Sequence, residues 1–336
     1  MIRNRQVLLA SRPKGVATLD NFRLVESPVL AIGEGELLVR NHYLSLDPYM
    51  RGRMDDAKSY AQATAIGEVM TGRTVGEVVE SRNADFAVGD YVIATFGWQE
   101  YGITDGRGVR KIDPKLAPIA VHLGALGMPG VTAWIGLVDI AQPKAGETVV
   151  VSAASGAVGS VVGQLAKLHG CRAVGIAGGA VKCEYVVNEL GFDACVDYKA
   201  GRLDADLKAA CPDGIDVNFE NVGGAVMDAV LGRMNAFSRM PVCGMISQYS
   251  VASAAELYGV RNVRSILVNR IRVQGFIVSD RMELWPTALK ALGDAYRAGT
   301  LRYRESVAQG LPNAPAAFLG LLRGENLGKQ LVRLVD

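Results

Sequence analysis

The sequence predicts an α/β protein: a doubly wound parallel sheet joined to a smaller, partly open β-barrel-like domain. Three observations predict it. From about Leu123 onward, short apolar runs alternate with helical segments, which is the rhythm of a parallel sheet covered on both faces. The first 120 residues carry short β-rich runs edged by Gly or Asp and no long helical periodicity. At 336 residues the chain accommodates about two domains of roughly 150 residues each. We place the parallel sheet in residues 123–299. Residues 1–122 and 300–336 form the other domain, which is then discontinuous.

In the first part, Glu36–Leu46 reads as a strand with Leu38, Arg40, His42 and Leu44 on one face under a period of two. Thr74–Glu80 and Asp90–Thr95 are further short strands. After the boundary, Glu147–Ala153 is a continuous apolar run, as expected of a strand buried on both faces. The alternation continues with a helix over Val158–Leu168, a strand at Arg172–Ala177, a helix over Val181–Leu190 and a strand at Cys195–Asp197. Next come a helix at Leu203–Ala210, a strand at Gly214–Phe219, a helix at Gly223–Arg233, and strands at Met240–Ile246 and Val273–Val278. Pro312–Leu322 reads as a helix. Gln330–Val335 reads as a strand placed to rejoin the first domain.

Composition narrows the function. Lys and Arg number 36 against 34 Asp and Glu, a balance that gives no general electrostatic case for nucleic acid or an anionic membrane. Every long apolar stretch is broken by Gly, Pro, Ser or polar residues, and the start MIRNRQVLLASRPKG lacks the pattern of a secretory leader. The expectation is a soluble cytoplasmic protein. The five cysteines lie at least twelve residues apart, which argues against a disulfide framework and a cysteine zinc lobe. Residues 1–170 hold no cysteine and only His42, His122 and His169, so no catalytic zinc site is expected.

Glycine is abundant, at 39 residues. The most informative glycines lie in Ser152–Gly159, SAASGAVG, between the buried strand and its helix. Gly156 and Gly159 allow close approach to a pyrophosphate, and the helix start supplies N–H groups and positive partial charge. Ala153 stands where such turns usually begin with glycine. An acidic residue about twenty positions on would take the ribose hydroxyls of NAD. No Asp or Glu occurs from Thr148 to Cys183; the second strand ends in Ala177-Gly178-Gly179, and Lys182 follows. Small residues and a cation suit a 2′-phosphate, so the expected cofactor is NADP(H).

The chain also resembles a known family over nearly its whole length. The motifs are SLDPYMRGRM (residues 45–54), GMPGVTAW (127–134), SAASGAVGSVVGQLAK (152–167), ELGFDACVDYK (189–199), FENVGG (219–224), CGMISQY (243–249), QGFIVSD (274–280) and ENLGKQ (325–330). They resemble the zinc-independent medium-chain dehydrogenase/reductases, in the branch of prostaglandin reductases, plant 2-alkenal double-bond reductases and bacterial curcumin reductases. The resemblance implies a Rossmann domain with a GroES-like catalytic domain, and a homodimer. It implies that Gly156, Ala157, Val158 and Gly159 meet the pyrophosphate and that Lys182 and Tyr198 hold the 2′-phosphate. Asn221 would contact the cofactor. Cys243, Gly244, Met245, Ile246, Ser247, Gln248 and Tyr249, with Phe276, Ile277 and Val278, would line the nicotinamide half, and Asn326 would close the cleft. Tyr49 and Tyr249 would lie near the substrate carbonyl. Some eukaryotic members carry a tyrosine where this chain has about Val268.

The implied activity is NADPH-dependent reduction of the C=C bond of α,β-unsaturated aldehydes and ketones. Hydride addition at the β-carbon makes an enolate, and without metal its oxygen needs aimed hydrogen-bond donors. A phenol O–H serves as such a donor, as does the cofactor's ribose hydroxyl. The alternatives are a quinone reductase on the same scaffold and a catalytically idle NADP-binding sensor or structural protein.

Overall fold

The computed structural model describes residues 2–335. Its contacts divide the chain into two compact units, Met1–Leu123 with Glu305–Asp336, and Gly124–Arg304.

The first unit is built on a seven-stranded sheet. Leu37–Ser45 is its organising strand, flanked by Thr74–Ser81 and by the late strand Lys329–Arg333, and also paired with Tyr101–Thr104. Lys329–Arg333 runs antiparallel to Leu37–Ser45 and parallel to Glu305–Gln309. The end of the chain is thereby stitched into the N-terminal sheet. On the expected face of Leu38, Arg40, His42 and Leu44, Leu38 and Leu44 are buried and His42 is half-buried. Leu37, Val39 and Asn41 are sealed on the opposite face, while Arg40 is exposed. Two register shifts, at Leu38/Val39 and Asn41/Tyr43, break the alternation. Asn41 is accommodated because its Nδ2 donates to the Gln99 carbonyl and its Oδ1 accepts the Thr74 hydroxyl. A separate hairpin of Arg3–Leu9 and Phe22–Pro28 adds Phe22 to a core with Trp98 and Phe318. The Trp98 ring lies 5.5 Å from both, stacked on Phe22 and edge-on to Phe318.

His122 carries a measurable consequence. It is 4% exposed on the turn Ile119–Leu123, and neither ring nitrogen has a hydrogen-bond partner. Burial, helped by Arg110, pushes its pKa down to about 4. The unfolded chain binds this proton near pH 6.5 and the folded chain does not until about pH 4. Stability from this site is therefore complete above pH 6.5 and is lost as pH falls toward 4. Integration gives a loss of roughly 2 kcal/mol between pH 7 and pH 5. His122→Leu should remove that loss and keep wild-type stability at pH 7, since no hydrogen bond is broken. Urea midpoints at the two pH values check this; an unchanged pH dependence in the variant would refute it.

The second unit holds six parallel strands: Thr148–Ser152, Arg172–Ala177, Ala194–Asp197, Ile215–Phe219, Met234–Val242 and Arg272–Gly275. Counted along the chain they lie in the order 3-2-1-4-5-6, the Rossmann arrangement, whose switch point falls between the first and fourth strands. The helix expected at Val181–Leu190 begins at Ala180 and widens into π-helical turns over Tyr185–Glu189. Two strand ends correct the sequence reading. The strand expected at Met240–Ile246 starts at Met234 and stops at Val242, because the N–H groups of Cys243 and Gly244 both turn to the Glu220 carbonyl. The strand expected to reach Val278 ends at Gly275, where Phe276 folds onto Phe219. The helix Trp285–Arg297, absent from the sequence reading, buries Trp285, Ala288 and Leu292 at helical spacing.

Candidate functional site

The phosphate turn is built by close packing. Thr148–Ser152 is buried along its whole length, and the backbone then enters a left-handed conformation at Ala153, with φ of 50°. An L-residue rarely adopts this conformation, and it reverses the chain toward the ten-residue helix Gly159–Leu168. The Ala153 carbonyl accepts the N–H of Gly156 at 2.9 Å. A Cβ on Gly159 would stand 2.4 Å from the same carbonyl oxygen, so only glycine fits there. Gly156 has more room, with its nearest contact at 3.2 Å. Ala157 and Val158 complete the turn, and the helix start brings its positive partial charge there. The N–H groups of Ser160, Val161 and Val162 are already bonded to the Gly156 and Val158 carbonyls.

Beyond the second strand, Lys182 is half-buried at the start of its helix. Burial first, then the neighbouring Lys199, lowers its pKa. Tyr198 and Lys199 both lie over Gly178, where a Cβ would meet the Tyr198 hydroxyl at 2.9 Å and the Lys199 chain at 3.0 Å. Gly178, Lys182, Tyr198 and Lys199 thus share one corner. Lys199 was missed from sequence; its position beside Tyr198 in DYK was the available signal. The fold also brings in Asp197 from the third strand, and its Oδ1 is engaged by the N–H groups of Gly179 and Lys199 at 2.8 and 2.9 Å. Two like charges held together favour a bound anion.

At the switch point a buried knot ties the first and fourth strands. Glu220, fully enclosed, accepts the Ser152 hydroxyl at 2.8 Å, the Asn218 amide at 2.8 Å, and the N–H groups of Val222 and Gly223 at 2.6 and 2.9 Å. Burial raises its pKa against the pull of these donors. Asn221 donates from its side chain to the Ser152 carbonyl at 2.7 Å, which leaves its Oδ1 and its second amide hydrogen able to meet a cofactor. Glu220 lay inside the FENVGG motif but was not singled out from sequence. The segment from Cys243 to Tyr249 is fastened to this knot. Ile246 donates from its backbone to the Asn221 carbonyl, and Ser247 donates from Oγ to Val222 at 2.6 Å. Met245 packs over Gly223, and Gln248 binds the Ser247 hydroxyl and accepts the Tyr258 N–H. The Tyr249 hydroxyl accepts the Met245 N–H at 3.1 Å. Cys243 is a poor nucleophile, since burial and Glu220 push its thiol up to about 12. Phe276 turns its ring onto Phe219, 6.2 Å away, so what this stretch presents is its backbone and the side chains of Ile277 and Val278.

In the other unit, Tyr49 follows Asp47-Pro48 and leads the single helical turn Met50–Arg53. It packs against the large core cluster that includes Leu44, Leu46 and Met50, and the Arg53 guanidinium sits over its ring, 5.6 Å from the ring centre. Arg53 also covers Tyr60 at 5.1 Å. Burial, with the Asp47 carboxylate, raises the phenol pKa well above its ordinary value. Arg51 pairs with Asp55 at 2.7 Å, so it is a structural cation. Asn326 is half-buried and donates to the Gly328 carbonyl at 2.7 Å. Among the described residues no three metal-ligating side chains converge.

Two family models match the chain: an "N-terminal domain of oxidoreductase" over residues 5–112 and a "zinc-binding dehydrogenase" over residues 157–294. The NADPH-dependent curcumin reductase of Escherichia coli is 48% identical over 338 residues, covering 99% of this chain and 97% of that protein. The NADP-dependent 2-alkenal reductase of Nicotiana tabacum is 43% identical, covering 98% and 97%. The crystal structure of CurA from Vibrio vulnificus in complex with NADPH superposes with a TM-score of 0.95 at 48% identity, over 99% of both chains. The chain therefore belongs to the medium-chain dehydrogenase/reductase family, in the branch that holds the curcumin and 2-alkenal reductases.

Proposed function

We propose that the protein is an NADPH-dependent reductase of the C=C bond of α,β-unsaturated aldehydes and ketones. The observation that carries the reading is near-full-length similarity, above 40% identity, to a curcumin reductase and a 2-alkenal reductase. The corner of Gly178, Lys182, Tyr198 and Lys199 fits the cofactor's 2′-phosphate, and the Gly156–Gly159 turn fits its pyrophosphate. When bound, NADPH supplies the hydride that the substrate's β-carbon takes up. The chain's own part is to hold and polarise. Asn221 and the Cys243–Tyr249 segment position the nicotinamide half, with Ile277 and Val278 beside it, and Asn326 is a further cofactor contact. Tyr49 and Tyr249 donate hydrogen bonds to the carbonyl as negative charge grows on its oxygen. Loss of NADPH absorbance with an enone, but not with a quinone, tests the assignment. Turnover with a quinone alone, or tight NADPH binding with no turnover of either, would replace it with the alternatives.

We infer a homodimer formed through the second unit. Among the described residues Arg272–Gly275 is an edge strand paired on one side only, and Val273 is 38% exposed. Nearby Leu267 is 79% exposed and Phe237 69%, the latter held in a left-handed conformation by a bond from its N–H to the Asn269 carbonyl. An open edge beside exposed apolar side chains, Phe237 with the Arg270 guanidinium over its ring at 4.5 Å, favours a second copy. Sedimentation at micromolar concentration should give the mass of two chains, and Leu267→Asp with Val273→Asp should halve it. A wild-type monomer would refute the inference. No described helix is long and apolar enough to cross a membrane. We place the protein in the cytoplasm, in keeping with five cysteines that are all free thiols.

A further inference from the structure

Lys329 is 1% exposed, an uncommon position for an ammonium group. It stands at the start of Lys329–Arg333, which lies antiparallel to Leu37–Ser45 with Leu331 opposite Ser45. The pairing carries Lys329 just past the end of the partner strand, where the turn bearing Tyr49 begins. Its Nζ donates to the Leu46 carbonyl at 2.7 Å and to the Gln330 carbonyl at 2.9 Å, and pairs with Asp47 Oδ1 at 3.2 Å. All three ammonium protons therefore have acceptors. The second Asp47 oxygen accepts the Ser45 hydroxyl, and the Asp47 carbonyl accepts the Met50 N–H at 3.1 Å. Pro48 fixes the next backbone angle. Residues 45 to 50 are thus one connected set of bonds, with Tyr49 inside it and Lys329 at its hub.

Stability alone does not account for this pair. Desolvating two ions is costly, and apolar side chains of similar volume often serve a core as well or better. The location accounts for it better. Asp47 is close enough to Tyr49 to act on its phenol, and Lys329 is the cation that balances Asp47.

We propose that Lys329 is a positioning residue for the reduction: it straps the Asp47-Pro48-Tyr49 turn and neutralises Asp47, so that the Tyr49 hydroxyl meets the developing enolate without an unbalanced carboxylate behind it. This rests on the reading that Tyr49 acts at the substrate carbonyl. Removing the ammonium has two effects. The Leu46 carbonyl and the Asp47 carboxylate lose their shared donor, and the turn loosens. Asp47 also becomes a lone buried anion, which opposes negative charge on the substrate oxygen. None of the residues bonded to Lys329 is assigned to NADPH, so cofactor affinity is unaffected.

A double-mutant cycle tests this with Tyr49→Phe, Lys329→Met and the two combined, reading kcat, enone KM and NADPH Kd. Lys329→Met should lower kcat about tenfold in the wild-type background and less than about twofold when Tyr49 is already Phe. NADPH Kd should stay within about twofold throughout. Equal losses of kcat in both backgrounds would mark a purely structural role and overturn the proposal. An unchanged kcat in Lys329→Met beside an impaired Tyr49→Phe would overturn it and leave the Tyr49 reading standing. An unimpaired Tyr49→Phe would remove that reading, and the proposal with it. Should Lys329→Met not fold, Lys329→Met/Asp47→Asn takes its place in the cycle. With no carboxylate left unbalanced it should lower kcat less than about tenfold, through the loosened turn alone, and that loss should again disappear when Tyr49 is Phe; equal losses in both backgrounds would overturn the proposal.

Discussion

Tyr49→Phe should lower kcat for an enone about a hundredfold while NADPH affinity changes by less than about twofold, with a comparable loss of kcat for Tyr249→Phe. The first figure corresponds to roughly 3 kcal/mol, the usual loss when one donor to a developing oxyanion is removed. Tyr49 suits the role because burial and Asp47 hold its phenol protonated far above neutral pH. A group that stays protonated remains a donor, so Tyr49 should add no alkaline limb to the kcat profile in the neutral range. Tyr249 suits it for another reason. Its oxygen accepts the Met245 N–H, and a hydroxyl that accepts a hydrogen bond becomes a stronger donor. Phenylalanine keeps the ring of Tyr49 against the surrounding core cluster and under Arg53, so the change removes a hydroxyl and little packing. The two losses need not add, because one phenol and the ribose hydroxyl remain in each single variant. Near wild-type kcat in both single variants and in the double variant would show that neither phenol acts at the carbonyl.

The parts legible in the sequence were those written in local pattern. The run Thr148–Ser152 has three successive valines and is buried throughout because both faces of the sheet are covered, and Gly156 and Gly159 after it mark the close-packed turn. What the sequence did not show depended on contacts between distant segments. Period-two reading of Leu37–Ser45 put Leu38 and Leu44 on one face but did not show that Leu37, Val39 and Asn41 are sealed on the other, because two register shifts and three pairing partners decide that. Cys243 and Gly244 look like strand by composition, yet their N–H groups answer to the Glu220 carbonyl. Glu220 and Lys329 read as ordinary surface charges by residue type. Only the fold encloses them, one among backbone N–H groups and the other among carbonyls. Asp197 and Lys199 reach the Gly178 corner from a neighbouring strand, so counting along the second strand could not find them.

Lys182→Ala should raise the Kd for NADPH by one to two orders of magnitude and change the Kd for NADH by less than about twofold. The two cofactors differ only in the 2′-phosphate, which carries nearly two negative charges near neutral pH. A charge-assisted bond to such a group is worth on the order of 1.5–3 kcal/mol, which sets the size of the effect. Lys182 is half-buried, so the interaction is less screened than one between exposed charges. Burial and Lys199 both disfavour its charged form, and a bound dianion would relieve both. The second cation also bounds the loss, because Lys199 stays in place when Lys182 is removed. Lys182→Ala/Lys199→Ala should therefore weaken NADPH further than either change alone and bring its affinity close to that of NADH. Raised salt should weaken NADPH binding to the wild type more steeply than binding to the double variant. Fluorescence titration of both cofactors across the four proteins separates the outcomes. Equal weakening of NADPH and NADH by Lys182→Ala would mean that the lysine supports the fold of this corner, and selectivity for NADPH would then have to come from Tyr198 and the backbone of Gly178 and Gly179.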